Sequence, residues 1–123
     1  MPKREGERAS IAIVGPCGAG KSTLALQLEQ HGLRAHQIAQ EHSFVPDMWK
    51  RLTSPDLLIY LDASYDACQR RKQLNWNEAD YAEQLRRLQH AREHCDIYLD
   101  TSQLMPDEVT KKVLQALQDV MQI

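Results

Sequence analysis

Ser10-Ile11-Ala12-Ile13-Val14-Gly15-Pro16-Cys17-Gly18-Ala19-Gly20-Lys21-Ser22-Thr23-Leu24 is the stretch on which the reading of this chain turns. Residues 10–14 are short, β-branched and stopped by Gly15-Pro16, so they predict a strand buried on both faces. From Lys21 onward Leu24, Ala25 and Leu28 recur at helical spacing, which predicts a helix over 21–31 with Gly32 as its C-cap. Between the two, residues 15–22 satisfy G-x-x-x-x-G-K-[ST] at every fixed position. Glycines let the backbone curl so that successive N–H groups face an anion, and the next helix adds the positive end of its dipole. A chance match in a chain of this length is on the order of a few tenths of a percent. The strand before the loop and the helix after it are also the context the pattern requires. The expected phosphate site therefore comprises Gly15, Pro16, Cys17, Gly18, Ala19, Gly20, Lys21, Ser22 and Thr23. Lys21 would reach the β- and γ-phosphates of a nucleotide, and the Ser22 hydroxyl would hold Mg²⁺.

Working outward, strand and helix patterns keep alternating. A weak second strand is read over 35–39, and Pro46 interrupts the segment after it. One or two helical turns over 47–52 end at Ser54-Pro55. Residues 57–61 are a second continuous apolar strand closed by Asp62, with Ser64 placed to cap a helix over 65–73. After the break at Asn75-Trp76-Asn77, Tyr81, Leu85, Leu88, Ala91 or Arg92, and Cys95 mark one long amphipathic helix. Residues 97–99 form a last short strand. Pro106 then suits the first turn of a helix over 107–120, with a stripe of Val109, Val113, Leu117 and Val120. This alternation predicts an α/β fold: a three-layer sandwich of the P-loop NTPase type, with a small parallel sheet covered by helices on both faces. Residues 1–8 read as a disordered tail and 9–123 as a single nucleotide-binding domain.

Composition bounds the function. The chain has 123 residues, 42% hydrophobic and 26% charged, which suits one ordinary domain. Fifteen Lys+Arg against seventeen Asp+Glu leave a net charge of -2. That gives no basic field for a nucleic-acid polymer or an anionic membrane. The apolar runs are far below the roughly 20 residues a bilayer span needs. Three widely spaced cysteines and a charged, non-apolar start point to a reducing cytoplasm. No N-K-x-D guanine signature and no L-S-G-G-Q transporter signature comes after the loop, which leaves small kinases among the nucleotide-binding classes.

Two further segments carry a family resemblance. Pro55-Asp56-Leu57-Leu58-Ile59-Tyr60-Leu61-Asp62-Ala63-Ser64 with Cys68-Gln69-Arg70-Arg71 resembles the strand and lid helix of thymidylate and deoxynucleoside kinases. Residues 95–102 with Pro106-Asp107-Glu108-Val109 resemble the last strand, base-side loop and final helix of nucleoside monophosphate kinases. The resemblance implies ATP-dependent phosphoryl transfer with Mg²⁺, an arginine-bearing lid, and adenine contacts at Thr101 and Ser102. It also implies a Glu after the second strand acting as base toward the acceptor hydroxyl, and Glu41 lies at a comparable place. The chain departs from that group in lacking an acidic Walker-B strand and an extended acceptor region between Gly20 and Pro55, and in having His42 where a Pro usually comes after the Glu.

The candidate catalytic residues are accordingly Lys21, Glu41, Asp62, Arg70 and Arg71. Glu41 is a base or an indirect Mg²⁺ ligand, or a solvated carboxylate at a strand end. Asp62 is an Mg²⁺ ligand through water at the carboxyl end of its strand, or a helix-capping acid beside Ser64. Arg70 or Arg71 closes over the phosphates, or is simply solvated. Trp49 and Trp76 are read as packing residues. His90 and His94 share a helix face next to Cys95, without a fourth metal ligand. Cys17 lies beside backbone donors and is a position open to oxidation. The expected ligands are ATP, Mg²⁺ and a small-molecule acceptor, in a monomer or homodimer. The alternatives are a nucleotide-binding regulatory module without transfer activity and a slow ATPase.

Overall fold

The computed structural model describes residues 9–73 and 75–121; the tail read over 1–8 lies outside them. Four strands form one all-parallel sheet in the order β2-β1-β3-β4. These are β1 (Ser10–Val14), β2 (Arg34–Gln37), β3 (Leu57–Asp62) and β4 (Ile97–Asp100). Between and after them run α1 (Lys21–Gln30), a 3-10 turn (Gln40–His42), α2 (Met48–Thr53), α3 (Tyr65–Lys72), α4 (Glu78–Arg87), α5 (Gln89–His94) and α6 (Pro106–Met121).

Alternation along the central strands explains the helices on either side. Ile11, Ile13, Leu57, Ile59 and Leu61 pack with Leu24 and Leu28 of α1 and with Val113 and Leu117 of α6. Ala12, Val14, Leu58 and Tyr60 turn the other way, onto Trp49 of α2, Leu88, and Ala91 of α5. Strands read as continuously apolar are thus buried on both faces, as parallel sheets require. Each fully buried Leu or Ile contributes roughly 1.5 to 3 kcal/mol. Val120, read as the end of the α6 stripe, stands 44% exposed, one turn beyond the reach of the sheet.

Helix ends obey local chemistry. Ser64 Oγ accepts from Ala67 N at 3.1 Å, the cap read from sequence. Gly32 takes φ +82 just beyond α1, where the left-handed C-cap conformation is needed. α4 begins with a reciprocal capping box: Asn77 Oδ1 accepts from Asp80 N and Asp80 Oδ2 accepts from Asn77 N, each at 3.0 Å. Replacing Asn77 with Ala is expected to cost about 1 kcal/mol and Asn77→Gly only a few tenths. Urea midpoints of the two variants check this, and equal values would show that the cap is idle.

Two readings need correction. The second strand covers Arg34–Gln37 rather than 35–39, because Gln40–His42 has already turned into a 3-10 helix. The long helix read through 81–95 is broken at Leu88 into α4 and α5. Gln40, fully buried, supplies the cause: its Nε2 donates to Arg87 O at 3.2 Å, drawing on a carbonyl of the helix ladder. The same side chain donates to Val45 O and accepts from Trp49 N, both at 2.8 Å. It therefore fixes the path of the segment that carries Glu41. Among the described residues no helix is long and apolar enough to cross a membrane.

Candidate functional site

All four strands end on one edge of the sheet, where ligands of open parallel sheets bind. β1 sits between β2 and β3, so the chain leaves it toward one neighbour and later returns on its other side. The loop at its carboxyl end opens onto a cleft of about 740 Å³. That volume is within the usual range for a small-molecule site.

The loop is locked to the strand beside it. A Cβ on Gly15 would stand 2.0 Å from Leu61 O of β3, and one on Gly18 would stand 2.9 Å from Cys68 Cα of α3. Gly18 also has φ +90, a conformation that L side chains rarely adopt. Thr101, just beyond β4, holds the loop from the other side. Its Oγ1 lies 2.9 Å from Ala19 O and 3.0 Å from Asp62 O, and its single proton goes to one of them. Arg71 Nη1 donates to Gly18 O and to Thr101 Oγ1, both at 3.0 Å, while Nη2 donates to Thr101 O. Arg71 thus ties the end of α3 to the loop and to the β4 exit.

Lys21 folds back into the loop that precedes it. Its Nζ donates to Gly15 O at 2.7 Å, to Pro16 O at 3.2 Å and to Glu41 Oε2 at 2.8 Å. The Lys21 and Glu41 side chains are only 6% and 5% exposed, so this is a buried ion pair. Glu41 Oε1, on the same carboxylate, is buried with no hydrogen-bond partner. A buried carboxylate oxygen left unpaired is costly, so Glu41 has coordination to offer.

Gln84, on α4, was missed by the sequence reading. Its Oε1 accepts from Cys17 N at 3.0 Å and its Nε2 donates to Cys17 Sγ at 3.3 Å. The signal present in the sequence was a glutamine one turn from both Tyr81 and Leu88, on the helix face otherwise given to packing.

The remaining candidates divide. Ser22, Thr23, Glu41, Arg70, Arg71, Thr101 and Ser102 all line the cleft with residues 17–21 of the loop, Gly15 and Pro16 are not among the lining residues, and Leu104, Met105 and Val109 add an apolar wall. Asp62 is not among the lining residues. Its Oδ1 accepts from Ala63 N at 2.9 Å and its Oδ2 from the Tyr98 hydroxyl at 2.5 Å. Burial, and after it that bond, pushes the Tyr98 phenol up to about 12, so it stays protonated and keeps donating. Ser102 Oγ accepts from Ser64 N at 2.8 Å and donates to Asp100 Oδ1 at 2.6 Å, which pins the β4 exit to the start of α3. Trp49 and Trp76 pack, as read: Trp49 is buried and donates to His90 Nδ1 at 3.2 Å, and Trp76 lies between Tyr65 and Tyr81.

No protein-family model matches the chain, and no curated protein matches it significantly. What the site can do rests on its own chemistry: a glycine loop at a strand end, a lysine held by two of the loop's carbonyls, and a buried carboxylate beside it with one oxygen unpaired.

Proposed function

We propose that this chain is a compact P-loop phosphotransferase that binds MgATP and transfers the γ-phosphoryl group to a small acceptor bearing a hydroxyl or phosphate oxygen. The observation that carries the reading is the meeting of the Gly15–Ser22 loop with the buried Lys21–Glu41 pair in one cleft, with Glu41 Oε1 unpaired. The four-stranded parallel sheet flanked by helices supports the three-layer sandwich of the P-loop NTPase type, here with β2 directly against β1.

The residues present fit the cofactor. Glycines at 15 and 18 leave no room for a Cβ and so let the loop lie close against β3 and α3 at the edge of the cleft. MgATP, when bound, would supply the phosphoryl group and a metal ion to offset the charge of its phosphates. Lys21 leaves Gly15 O and Pro16 O for phosphate oxygens, a stronger acceptor for an ammonium. Ser22 would hold Mg²⁺ through its hydroxyl, and Glu41 would take the acceptor's proton or hold the ion through water. The bond formed joins acceptor oxygen to phosphorus, and the bond broken frees ADP. Arg70 is the arginine free to close over the phosphates, since Arg71 already binds Gly18 and Thr101. Leu104, Met105 and Val109 provide an apolar wall suited to a base beside Thr101 and Ser102.

Calorimetric titration of ATP with Mg²⁺ tests the reading. Micromolar binding is expected, with Lys21→Ala weakening it at least about 30-fold, the loss of one charge-assisted contact of 2 kcal/mol or more. Unchanged affinity in Lys21→Ala would overturn the assignment. The short stretch between α1 and β3 favours a second reading, a nucleotide-binding regulatory module. Tight ATP binding with no ADP release under any small acceptor would select it.

A further inference from the structure

We infer that Cys17, Glu41 and His42 form a binding site for a thiophilic divalent cation, Zn²⁺ being the best match, and that an ion there excludes the nucleotide phosphates from the loop. Cys17 Sγ lies 3.5 Å from His42 Nε2 and 3.8 Å from Glu41 Oε2, and the latter two atoms are 3.9 Å apart. Zn²⁺ bonds of about 2.3 Å to sulfur and about 2.0 to 2.1 Å to nitrogen or oxygen, at a tetrahedral angle, place such ligand atoms roughly 3.3 to 3.6 Å apart. The two distances to Cys17 Sγ therefore already match an edge of such a tetrahedron to within about 0.3 Å, and the third, between His42 Nε2 and Glu41 Oε2, needs to shorten by roughly half an ångström. Among the described residues no other group of His, Cys, Asp and Glu is gathered in this way. His90, His94 and Cys95, which the sequence also suggested, are turned to other partners: His90 to Trp49, His94 to His90 O and Cys95 to Arg92 O.

Three further observations support a ligand here. Lys21 holds Glu41 Oε2, the oxygen nearest Cys17 and His42, at 2.8 Å, while Oε1 of the same carboxylate is buried without a partner, so the carboxylate has one oxygen more than Lys21 uses. Gln84 holds Cys17 through both its backbone N–H and its Sγ, the kind of outer contact that orients a metal ligand. His42 is 59% exposed, which leaves an entry path and an open fourth position for water.

The donor set selects the ion. Sulfur and imidazole suit Zn²⁺, whereas Mg²⁺ takes oxygen ligands in octahedral geometry. Cys17 binds as the thiolate, its proton passing to solvent. The ion also competes with Lys21 for Glu41, and it sits at the mouth of the loop on which the nucleotide phosphates would rest. Exclusion of nucleotide rests on the proposed function; binding of the ion does not.

The test is titration of the reduced, tag-free chain with Zn²⁺ in the absence of nucleotide, and with Co²⁺ as a spectroscopic probe. One Zn²⁺ per chain is expected, with Cys17→Ser and His42→Ala each weakening it at least tenfold and Cys95→Ser leaving it unchanged. Bound Co²⁺ should show tetrahedral ligand-field absorption and a thiolate charge-transfer band, the latter lost in Cys17→Ser. Circular dichroism of each variant separates loss of ligand from loss of fold. Affinity unchanged in both ligand variants, or a Co²⁺ spectrum with no thiolate band, would overturn the site. With the chain preloaded with one Zn²⁺, the apparent MgATP affinity should fall at least tenfold; an unchanged value would overturn the exclusion. If MgATP fails to bind the metal-free chain, the nucleotide reading falls, and the Zn²⁺ titration still decides the ion site by itself.

Discussion

Glu41→Ala is expected to lower the stability of the chain by about 3 to 5 kcal/mol, the usual loss when one partner of a buried ion pair is removed. The side chains of Lys21 and Glu41 are 6% and 5% exposed, and the remaining acceptors of Lys21 are the carbonyls of Gly15 and Pro16. Without the carboxylate, an ammonium group stays in a site that water barely reaches. Most of the loss comes from that stranded charge rather than from the attraction itself. A Lys21→Met/Glu41→Leu double variant, which removes both charges and fills the space, is therefore expected to regain most of it. Thermal unfolding reads the difference: Tm should fall by about 10 to 20 °C in the single variant and recover in the double. A single-variant loss below about 1 kcal/mol would show that the pair is hydrated in solution. The same arithmetic bears on binding. Phosphates arriving at the loop must supply Lys21 with a partner at least as good as Glu41, and anionic oxygens meet that condition where a neutral ligand does not.

Gly15→Ala is expected to be as damaging, for a steric reason. The added Cβ would lie 2.0 Å from Leu61 O, a backbone atom of the central strand β3. β1 pairs with β3 from Ile11↔Leu57 to Val14↔Tyr60, so the strand cannot move aside without losing that ladder. Overpacking costs about 1 to 3 kcal/mol and sometimes more, and backbone strain adds about 1 kcal/mol. A loss of about 3 kcal/mol or above is expected, read as a lower urea midpoint with an unchanged slope. Gly20→Ala is the control. It has φ +100 but nothing within 4 Å of its Cβ, so only the strain contribution remains. Equal effects at the two positions would show that the close approach to Leu61 is relieved in solution.

The parts of the fold legible in the sequence were those encoded by one strong local pattern. β1, the loop and α1 are contiguous and carry their own punctuation; β3 is a run of five apolar residues, and Ser64 announces the helix it caps. β2 was legible only roughly, because it is an edge strand with Ala35 as its one buried residue and no alternation to fix its register. The break at Leu88 was invisible, since its cause, Gln40, lies far away in sequence. The site shows the same division. Residues 15–22 were readable as a unit, whereas the buried pairing of Glu41 with Lys21 and the hold of Gln84 on Cys17 arise only when the chain closes. Asp62 was singled out for its place at a strand end, but a strand end does not say which way a carboxylate turns, and here it turns to Tyr98.

The all-parallel sheet also bears on how the Gly15–Ser22 loop comes to be held. No two neighbouring strands are joined by a hairpin. Ser10 N bonds Asp56, 46 residues on, Leu58 N bonds Asp96, 38 residues on, and Thr101 Oγ1 reaches Ala19, 82 residues back. Each of these closures must be made against chain entropy before any contact rewards it, which places folding among the slower topologies for a chain of this size. The eight-residue motif so conspicuous in the sequence thus takes part of its bracing, through Thr101, from a segment 82 residues further along the chain.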